Sequence, residues 1–308
     1  MKNKMDNKIK VIVTGGAGFI GSNLSRELID RGFNVHIIDN LSTGNKNKIP
    51  AGAIFHKADI TDLKKIKPIF REAKFVFHLA ALPRVQLSID DPITTNNINV
   101  TGTLNVLMAA QEAQVEKLIY SASSSAYGNQ TKLPLKENFS AMPLSPYGLQ
   151  KHIGEHYCRI FSSVYGLKTV ALRYFNVYGP GMSDKGSYLA VFAVFLNQKN
   201  KGQPLTIVGD GKQTRSFTNV KDVVRANILA MQSNKVGQGE VINICSEKAY
   251  SVNEIAKIIG GPIIYLPERG GEIKYSQGDT SLAKKLLRWE SRITLEEGIA
   301  ELKKIYLS

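Results

Sequence analysis

Residues 11–21 read Val-Ile-Val-Thr-Gly-Gly-Ala-Gly-Phe-Ile-Gly, a β-branched run that breaks into glycines and then opens an amphipathic stretch over 22–31. Strand, tight turn and helix in that order are the context in which this glycine spacing holds a dinucleotide. Gly15 permits the turn, and Gly18 lets the backbone approach a pyrophosphate, whose charge the first helical N–H groups and the helix dipole stabilise. Phe19 and Ile20 follow in that first turn, and Gly21 leaves room for the helix to pack on the strand. Eighteen residues past Gly21 a second apolar run, 35–38, ends in Asp39. A carboxylate there accepts hydrogen bonds from the adenosine ribose hydroxyls and repels a 2′-phosphate, so NAD is favoured over NADP.

Strand and helix signals go on alternating. Apolar runs at 54–58, 75–81, 117–123 and 169–173 read as parallel strands, with helices expected over 61–71, 92–114 and 146–165. Ser145 suits an N-cap, Pro146 the first helical position and Gly166 the stop. The pattern predicts a doubly wound parallel α/β sheet of Rossmann type. Beyond Tyr174 the alternation fails and Gly and Pro become frequent. Residues 1–175, rejoined by about 221–246, are therefore read as the dinucleotide-binding domain, and 176–220 with 247–308 as a smaller α/β substrate lobe.

With 308 residues, 43% hydrophobic and 21% charged, the chain has the make-up of a soluble enzyme with a sizeable core. Neither a signal peptide nor a membrane span is read from it, so a cytoplasmic location is expected. Cys158 and Cys245 lack metal-ligand spacing, and no metal is expected. The net charge of +14 comes from scattered lysines without interleaved aromatics, so no nucleic-acid partner is inferred.

Tyr147 and Lys151, four apart on the helix that Ser145 caps, share one face. A free phenol has a pKa of about 10, too high for an efficient base near neutrality. An ammonium and a cationic nicotinamide ring nearby are expected to lower it. The serine-rich strand end at 121–125 supplies a hydroxyl, Ser123, to orient a substrate proton. Joined to the dinucleotide fingerprint, this is a hydride-transfer constellation.

The chain resembles the extended short-chain dehydrogenase/reductase family, and within it the UDP-hexose 4-epimerases. The resemblance runs over nearly the whole chain, through Thr14-Gly-Gly-Ala-Gly-Phe-Ile-Gly21, Asp39-Asn-Leu-Ser42, His78-Leu-Ala-Ala81, Asn99-Val-Thr-Gly-Thr103 and Ser145-Pro-Tyr-Gly-Leu-Gln-Lys151. Further on stand Arg173-Tyr-Phe-Asn-Val-Tyr-Gly-Pro180, Gly209-Asp-Gly-Lys-Gln-Thr-Arg215 and Arg269-Gly-Gly-Glu272. It implies Tyr147 as catalytic base and acid, Lys151 as its electrostatic partner and Ser123 as the proton-sharing hydroxyl. Asn40, Ser42, Gly44, Asp59, Ile60, Leu79, Ala80, Ala81, Asn99, Ser121 and Tyr174 would line the NAD site. Ser124, Ser125, Asn176, Leu189, Val208, Arg215, Arg269, Glu272 and Ser276 would meet the UDP-sugar.

Related dehydratases and decarboxylases carry carboxylates where this chain has Ser124 and Ser125, which leaves epimerisation. A bulky tyrosine commonly fills the position of Ser276 in epimerases restricted to glucose and galactose, so a small residue implies room for a 2-acetamido group. Tyr275 is adjacent, and a one-residue slip reverses that implication. Uronate epimerases have an arginine after the Tyr-Gly-Pro segment that is absent here, with Arg84 or Lys185 as substitutes. A uronate epimerase, another sugar-nucleotide oxidoreductase and a non-catalytic NAD-binding or RNA-associated protein remain the alternative readings. The resemblance also implies a homodimer through the helices near 92–114 and 146–165.

Overall fold

The computed structural model describes residues 8–182, 191–268 and 274–307. In chain order β1 (Lys10–Thr14), α1 (Phe19–Asp30), β2 (Asn34–Asp39), β3 (Ile54–Lys57), α2 (Leu63–Ile66) and β4 (Phe75–His78) come first. Then follow α3 (Val85–Asp90), α4 (Pro92–Asn96), α5 (Gly102–Glu112), β5 (Lys117–Ser123), α6 (Pro146–Tyr165) and β6 (Lys168–Tyr174). The smaller elements are β7 (Val177–Tyr178), α7 (Val191–Asn200), β8 (Leu205–Val208), β9 (Thr214–Ser216) and β10 (Thr218–Asn219). After them come α8 (Val220–Gln232), β11 (Gln238–Ile244), β12 (Ala249–Ser251), α9 (Val252–Ile259), β13 (Ile263–Leu266), β14 (Tyr275–Ser276), α10 (Ser281–Leu287) and α11 (Leu295–Tyr306).

The central sheet has the order β11-β6-β5-β4-β1-β2-β3, with parallel pairing throughout. The period-2 alternation of strands explains how one run feeds two cores. Val11 and Val13 pack with Leu24, Leu28, Val223 and Trp289 on one face. Ile12, between them in sequence, packs with Val76, Val106, Leu118 and Phe161 on the other. Each such buried aliphatic side chain contributes roughly 1.5–3 kcal/mol. A third core, built from Phe192, Phe195, Ile207, Ile255, Ile299 and Leu302, holds the lobe of short sheets together.

Two helical stretches differ from expectation. The stretch over 61–71 is a single α-turn continued as a 3-10 turn, Lys67–Phe70, because Pro68 brings no N–H to the helix. The stretch over 92–114 is interrupted by a π-turn, Asn97–Thr101, in which the one buried residue is Asn99. Such π-bulges are frequent at functional sites, and here Asn99 turns inward to Leu82 and Gln150. Helix α6 begins as read: the Ser145 side chain accepts from Gly148 N, Pro146 follows, and Gly166 ends it in the left-handed conformation at φ 71°. Among the described residues no helix is long and apolar enough to cross a membrane.

Sheet register brings the functional ends together. Thr14 lies opposite His78, and Ser123 opposite Tyr174, at the carboxyl rim where β2 and β4 leave β1 on opposite sides. That topological switch is where open α/β sheets bind ligands.

Candidate active site

The glycine turn has no room for side chains. Gly15 adopts φ +72°, and a Cβ there would lie 2.6 Å from Ala80 N, while one on Gly16 would strike Ile37. A Cβ on Gly21 would collide with the Gly15 carbonyl. Helix α1 starts at Phe19 with Gly18 as its N-cap, no side-chain cap and no acidic residue in its first turn. Its leading N–H groups are thus available to an anion, as a pyrophosphate requires. Beside it Asp39 accepts from Ala17 N at 3.0 Å and Leu41 N at 2.8 Å, which fixes the carboxylate at the end of β2 with lone pairs left over. Gly44 closes over that carboxylate, since its Cβ would come within 2.9 Å of Asp39 Oδ1. Asn40 donates to Asp59 at 2.7 Å and accepts from Ser42 N at 2.9 Å, drawing the two loop ends together. Burial alone would raise the Asp59 carboxyl, but hydrogen bonds from Thr61 and Asn40 outweigh it and hold it below the ordinary carboxylate range. Ile60 packs against Gly102, where a Cβ would lie 2.6 Å from Ile60 Cδ1.

A buried polar chain that sequence reasoning missed stands behind this cradle. Thr103 Oγ1 donates to Asn99 O at 2.7 Å, so its one hydrogen is used and it accepts from His78 Nε2 at 2.9 Å. That assignment leaves His78 Nδ1 to accept from Thr14 Oγ1 at 2.7 Å, and Thr14 in turn accepts from Ala80 N at 3.2 Å. Burial, with Lys151 nearby, pushes His78 down to about 3, so it stays neutral and keeps this tautomer. Asn99 Oδ1 takes the Leu82 N–H at 2.8 Å, while its Nδ2 reaches Leu82 O and Gln150 Oε1. The backbone from Leu79 through Ala80 and Ala81 to Leu82 is thereby pinned at both ends, Leu79 N donating to Thr14 O at 3.1 Å.

Tyr147 is buried at the start of α6, with its N–H on Ser88 Oγ at 3.0 Å and the Ser123 side chain near enough to its phenol to favour the ionised form. Gly148 lets the helix close on the turn after β5, because a Cβ there would sit 2.6 Å from Ser125 O. Ser123 accepts from Ser125 N at 3.2 Å and donates to Ser125 Oγ at 3.1 Å; Ser124 lies between them, partly exposed. Lys151 donates to Ser121 O at 2.9 Å and stands over the Tyr120 ring, 5.0 Å from its centroid. Burial pushes the Lys151 ammonium down to about 8, still charged at neutral pH. In the chain by itself burial pushes Tyr147 up to about 12, offset in part by Ser123; the expected lowering calls on Lys151 together with the nicotinamide ring. Tyr174 turns its hydroxyl inward, to Ser121 Oγ at 3.2 Å and Asn227 Nδ2 at 2.8 Å.

Across the rim the lobe gathers several of the expected sugar-nucleotide residues around β9. Asn176 holds φ +33° and donates through Nδ2 to Ser216 O at 3.0 Å. Arg215 Nη1 donates to Thr214 O at 2.9 Å and Lys274 O at 3.1 Å. Parallel pairing of β14 with β9 puts Ser276 in register with Arg215, and Tyr275 with Thr214. Registered residues share a sheet face, so Ser276 lies on the arginine's side and the half-exposed Tyr275 on the other. Val208, at the end of β8, accepts from Gln213 Nε2 at 3.1 Å through its carbonyl. Leu189, Arg269 and Glu272 lie outside the described residues.

The profile of the NAD dependent epimerase/dehydratase family matches residues 11–245. A putative UDP-glucose 4-epimerase of Methanocaldococcus jannaschii is 40% identical over 297 residues, covering 94% of this chain and 95% of that protein. The Thermotoga maritima UDP-glucose 4-epimerase solved with UDP-glucose superposes with a TM-score of 0.91 at 36% identity, over 96% of this chain and 99% of the other. The UDP-N-acetylglucosamine 4-epimerase of Methanobrevibacter ruminantium, solved with UDP-N-acetylmuramic acid, gives the same score and identity over 97% and 98%. With that match laid over the glycine cradle and the Tyr147 site, the chain is an enzyme of the NAD dependent epimerase/dehydratase family, of its UDP-sugar epimerase and decarboxylase group, and NAD is its cofactor.

Proposed function

We propose that the protein is a UDP-hexose 4-epimerase that interconverts UDP-GlcNAc with UDP-GalNAc and UDP-Glc with UDP-Gal. The observation that carries this reading is the buried Tyr147 and Lys151 with Ser123 at the sheet rim, beside the glycine cradle, with serines rather than carboxylates at 124 and 125. Removing water or carbon dioxide from a sugar needs a further acid or base there; moving one proton and one hydride at C4 does not.

What NAD supplies when bound is a hydride acceptor and donor, and a positive ring that favours the phenolate. Tyr147 and Ser123 take the C4 hydroxyl proton. Lys151 adds a buried positive charge on the same helix face. The 4-keto sugar turns about its diphosphate linkage and receives hydrogen on the opposite face, while Tyr147 returns the proton. Asn176, Arg215 and Arg269 hold the diphosphate still, a task to which guanidinium groups are suited because they grip oxygens in pairs. Ser276, small and on the face of Arg215, leaves volume for the acetamido group.

The division of the chain into a sheet domain and a sugar lobe, with 221–246 returned to the first, belongs to this reading. So does a homodimer: Ile93 on α4, Met108 on α5, and Leu149, Ile160 and Val164 on α6 are exposed large apolar side chains that a second copy would cover. Purified protein incubated separately with UDP-GlcNAc, UDP-Glc and UDP-glucuronate, without added reductant, tests the substrate. Formation of UDP-GalNAc is expected. Turnover of UDP-Glc alone would keep the mechanism and refute the open pocket; turnover of the uronate alone would overturn the substrate class.

A further inference from the structure

Ser123 has one hydrogen and two lone pairs to place. Its hydrogen goes to Ser125 Oγ at 3.1 Å, and one lone pair takes the Ser125 N–H at 3.2 Å. The second lone pair is left for the phenol of Tyr147, whose pKa the Ser123 side chain lowers against the effect of burial. Ser125 itself is clamped, because its carbonyl lies against Gly148 in the helical turn that carries Tyr147. This arrangement serves a neutral tyrosine. An ionised one needs the opposite, a donor pointing at it.

Resting on the epimerase reading, we infer that Ser125 is a positioning residue for catalysis, whose hydroxyl receives the Ser123 hydrogen while Tyr147 is a phenol and donates its own to Ser123 once Tyr147 is a phenolate. Both hydroxyls rotate and no bond at Ser125 breaks. In the oxidation half-reaction the C4 hydroxyl proton passes to the tyrosine oxygen, Ser123 turns its hydrogen from that oxygen to Ser125 Oγ, and the C4 hydride leaves with its electron pair, for which bound NAD⁺ would be the acceptor. The reduction half-reaction reverses all three. Ser125 keeps the two-hydroxyl chain complete in each state, and the benefit is greater for the ionised one, because hydrogen bonds to a charge are the stronger.

The ionisable groups on the elements next to Tyr147 include Tyr120 on β5, whose pKa Tyr147 raises, and Arg84 and Asp90 at the ends of α3, whose Ser88 meets Tyr147 N; Lys151 lies one turn further along α6. Lys151 is held by Ser121 O and Tyr120 OH by Lys151 O, and burial and the Ser123 hydroxyl are what move the phenol.

The test compares pH profiles of kcat/KM for NAD-loaded wild-type, Ser125→Ala and Ser125→Thr proteins on whichever UDP-hexose turns over. Ser125→Ala is expected to move the acid limb up by about one pH unit, with about a tenfold loss below it, the size of one charge-assisted hydrogen bond. Ser125→Thr is expected to restore both. An unshifted limb in Ser125→Ala, including a change in KM alone, would overturn the inference. Should the alanine variant not fold, Ser125→Cys, with its weaker hydrogen bonding, must shift the limb in the same direction or the inference fails. Tyr147→Phe, run in parallel, separates the two levels: turnover by that variant would refute the epimerase chemistry itself.

Discussion

On the sheet side the polar and charged groups behind the proposed catalytic tyrosine are buried and locked together. His78, Lys151, Glu155 and Arg173 are at most 4% exposed, and each is hydrogen-bonded to a partner on another element or a distant turn. In the lobe, Asn176, Arg215 and Ser276 are partly or fully exposed and rest on two- and three-residue strands, tied mainly to backbone carbonyls. The contrast separates two tasks. Proton and hydride transfer need groups fixed to fractions of an ångström in a dry setting. A sugar that must turn between two half-reactions needs its diphosphate held and its ring left free.

Substitutions on the two sides should therefore fail differently. The largest effect is expected from Tyr147→Phe, a loss of about 10³–10⁴ in kcat with UDP-sugar binding retained, measured by steady-state turnover and calorimetry. Next, Glu155→Ala leaves Arg173 without its bidentate partner at 2.7 Å and should cost about 3–5 kcal/mol of stability in denaturant unfolding. Arg215→Ala should do the reverse, weakening UDP-sugar affinity by about 1.5–3 kcal/mol, as for a lost hydrogen bond to a charged group, with the unfolding midpoint unchanged. An equal stability loss in both would erase the distinction drawn here.

Ser276→Tyr sharpens it within the lobe. UDP-GlcNAc turnover should fall by about 10–200-fold relative to UDP-Glc, the usual worth of pocket volume. Equal loss on both sugars would place Ser276 outside the pocket.

The sheet side should also show a pH dependence of stability. Burial holds His78 near 3 in the folded chain against an ordinary value of 6.5. The unfolded chain thus binds the extra proton between those values, and stability should fall as pH drops from about 6.5 towards 3, by up to about 1.4 kcal/mol per unit. A His78→Asn variant should lose that slope, as read from unfolding curves across the window.

The glycine turn, Asp39, and the Ser145-Pro146 start of α6 were legible because each is a local demand: a positive φ, a strand-end carboxylate, a capped N-terminus. That Tyr147 and Lys151 share a helix face followed from their spacing alone. The His78 network was not legible, since its partners Thr14 and Thr103 stand 64 and 25 residues away and only the folded sheet brings them together. Nor was the rise in the Tyr147 pKa, which depends on burial by neighbours that the sequence does not name. Strands as short as β14 have no periodicity to read, so the side on which Ser276 falls needed the register with Arg215.

The central claim is that hydrogen leaves C4 and returns to C4 within one binding event. UDP-GlcNAc deuterated at C4, incubated with the NAD-loaded protein and no reductant, tests it most directly by NMR of the product. The account predicts UDP-GalNAc with the deuterium still at C4 and no lasting accumulation of reduced cofactor. Deuterium lost to water, or reduced cofactor accumulating with a keto product, would contradict it.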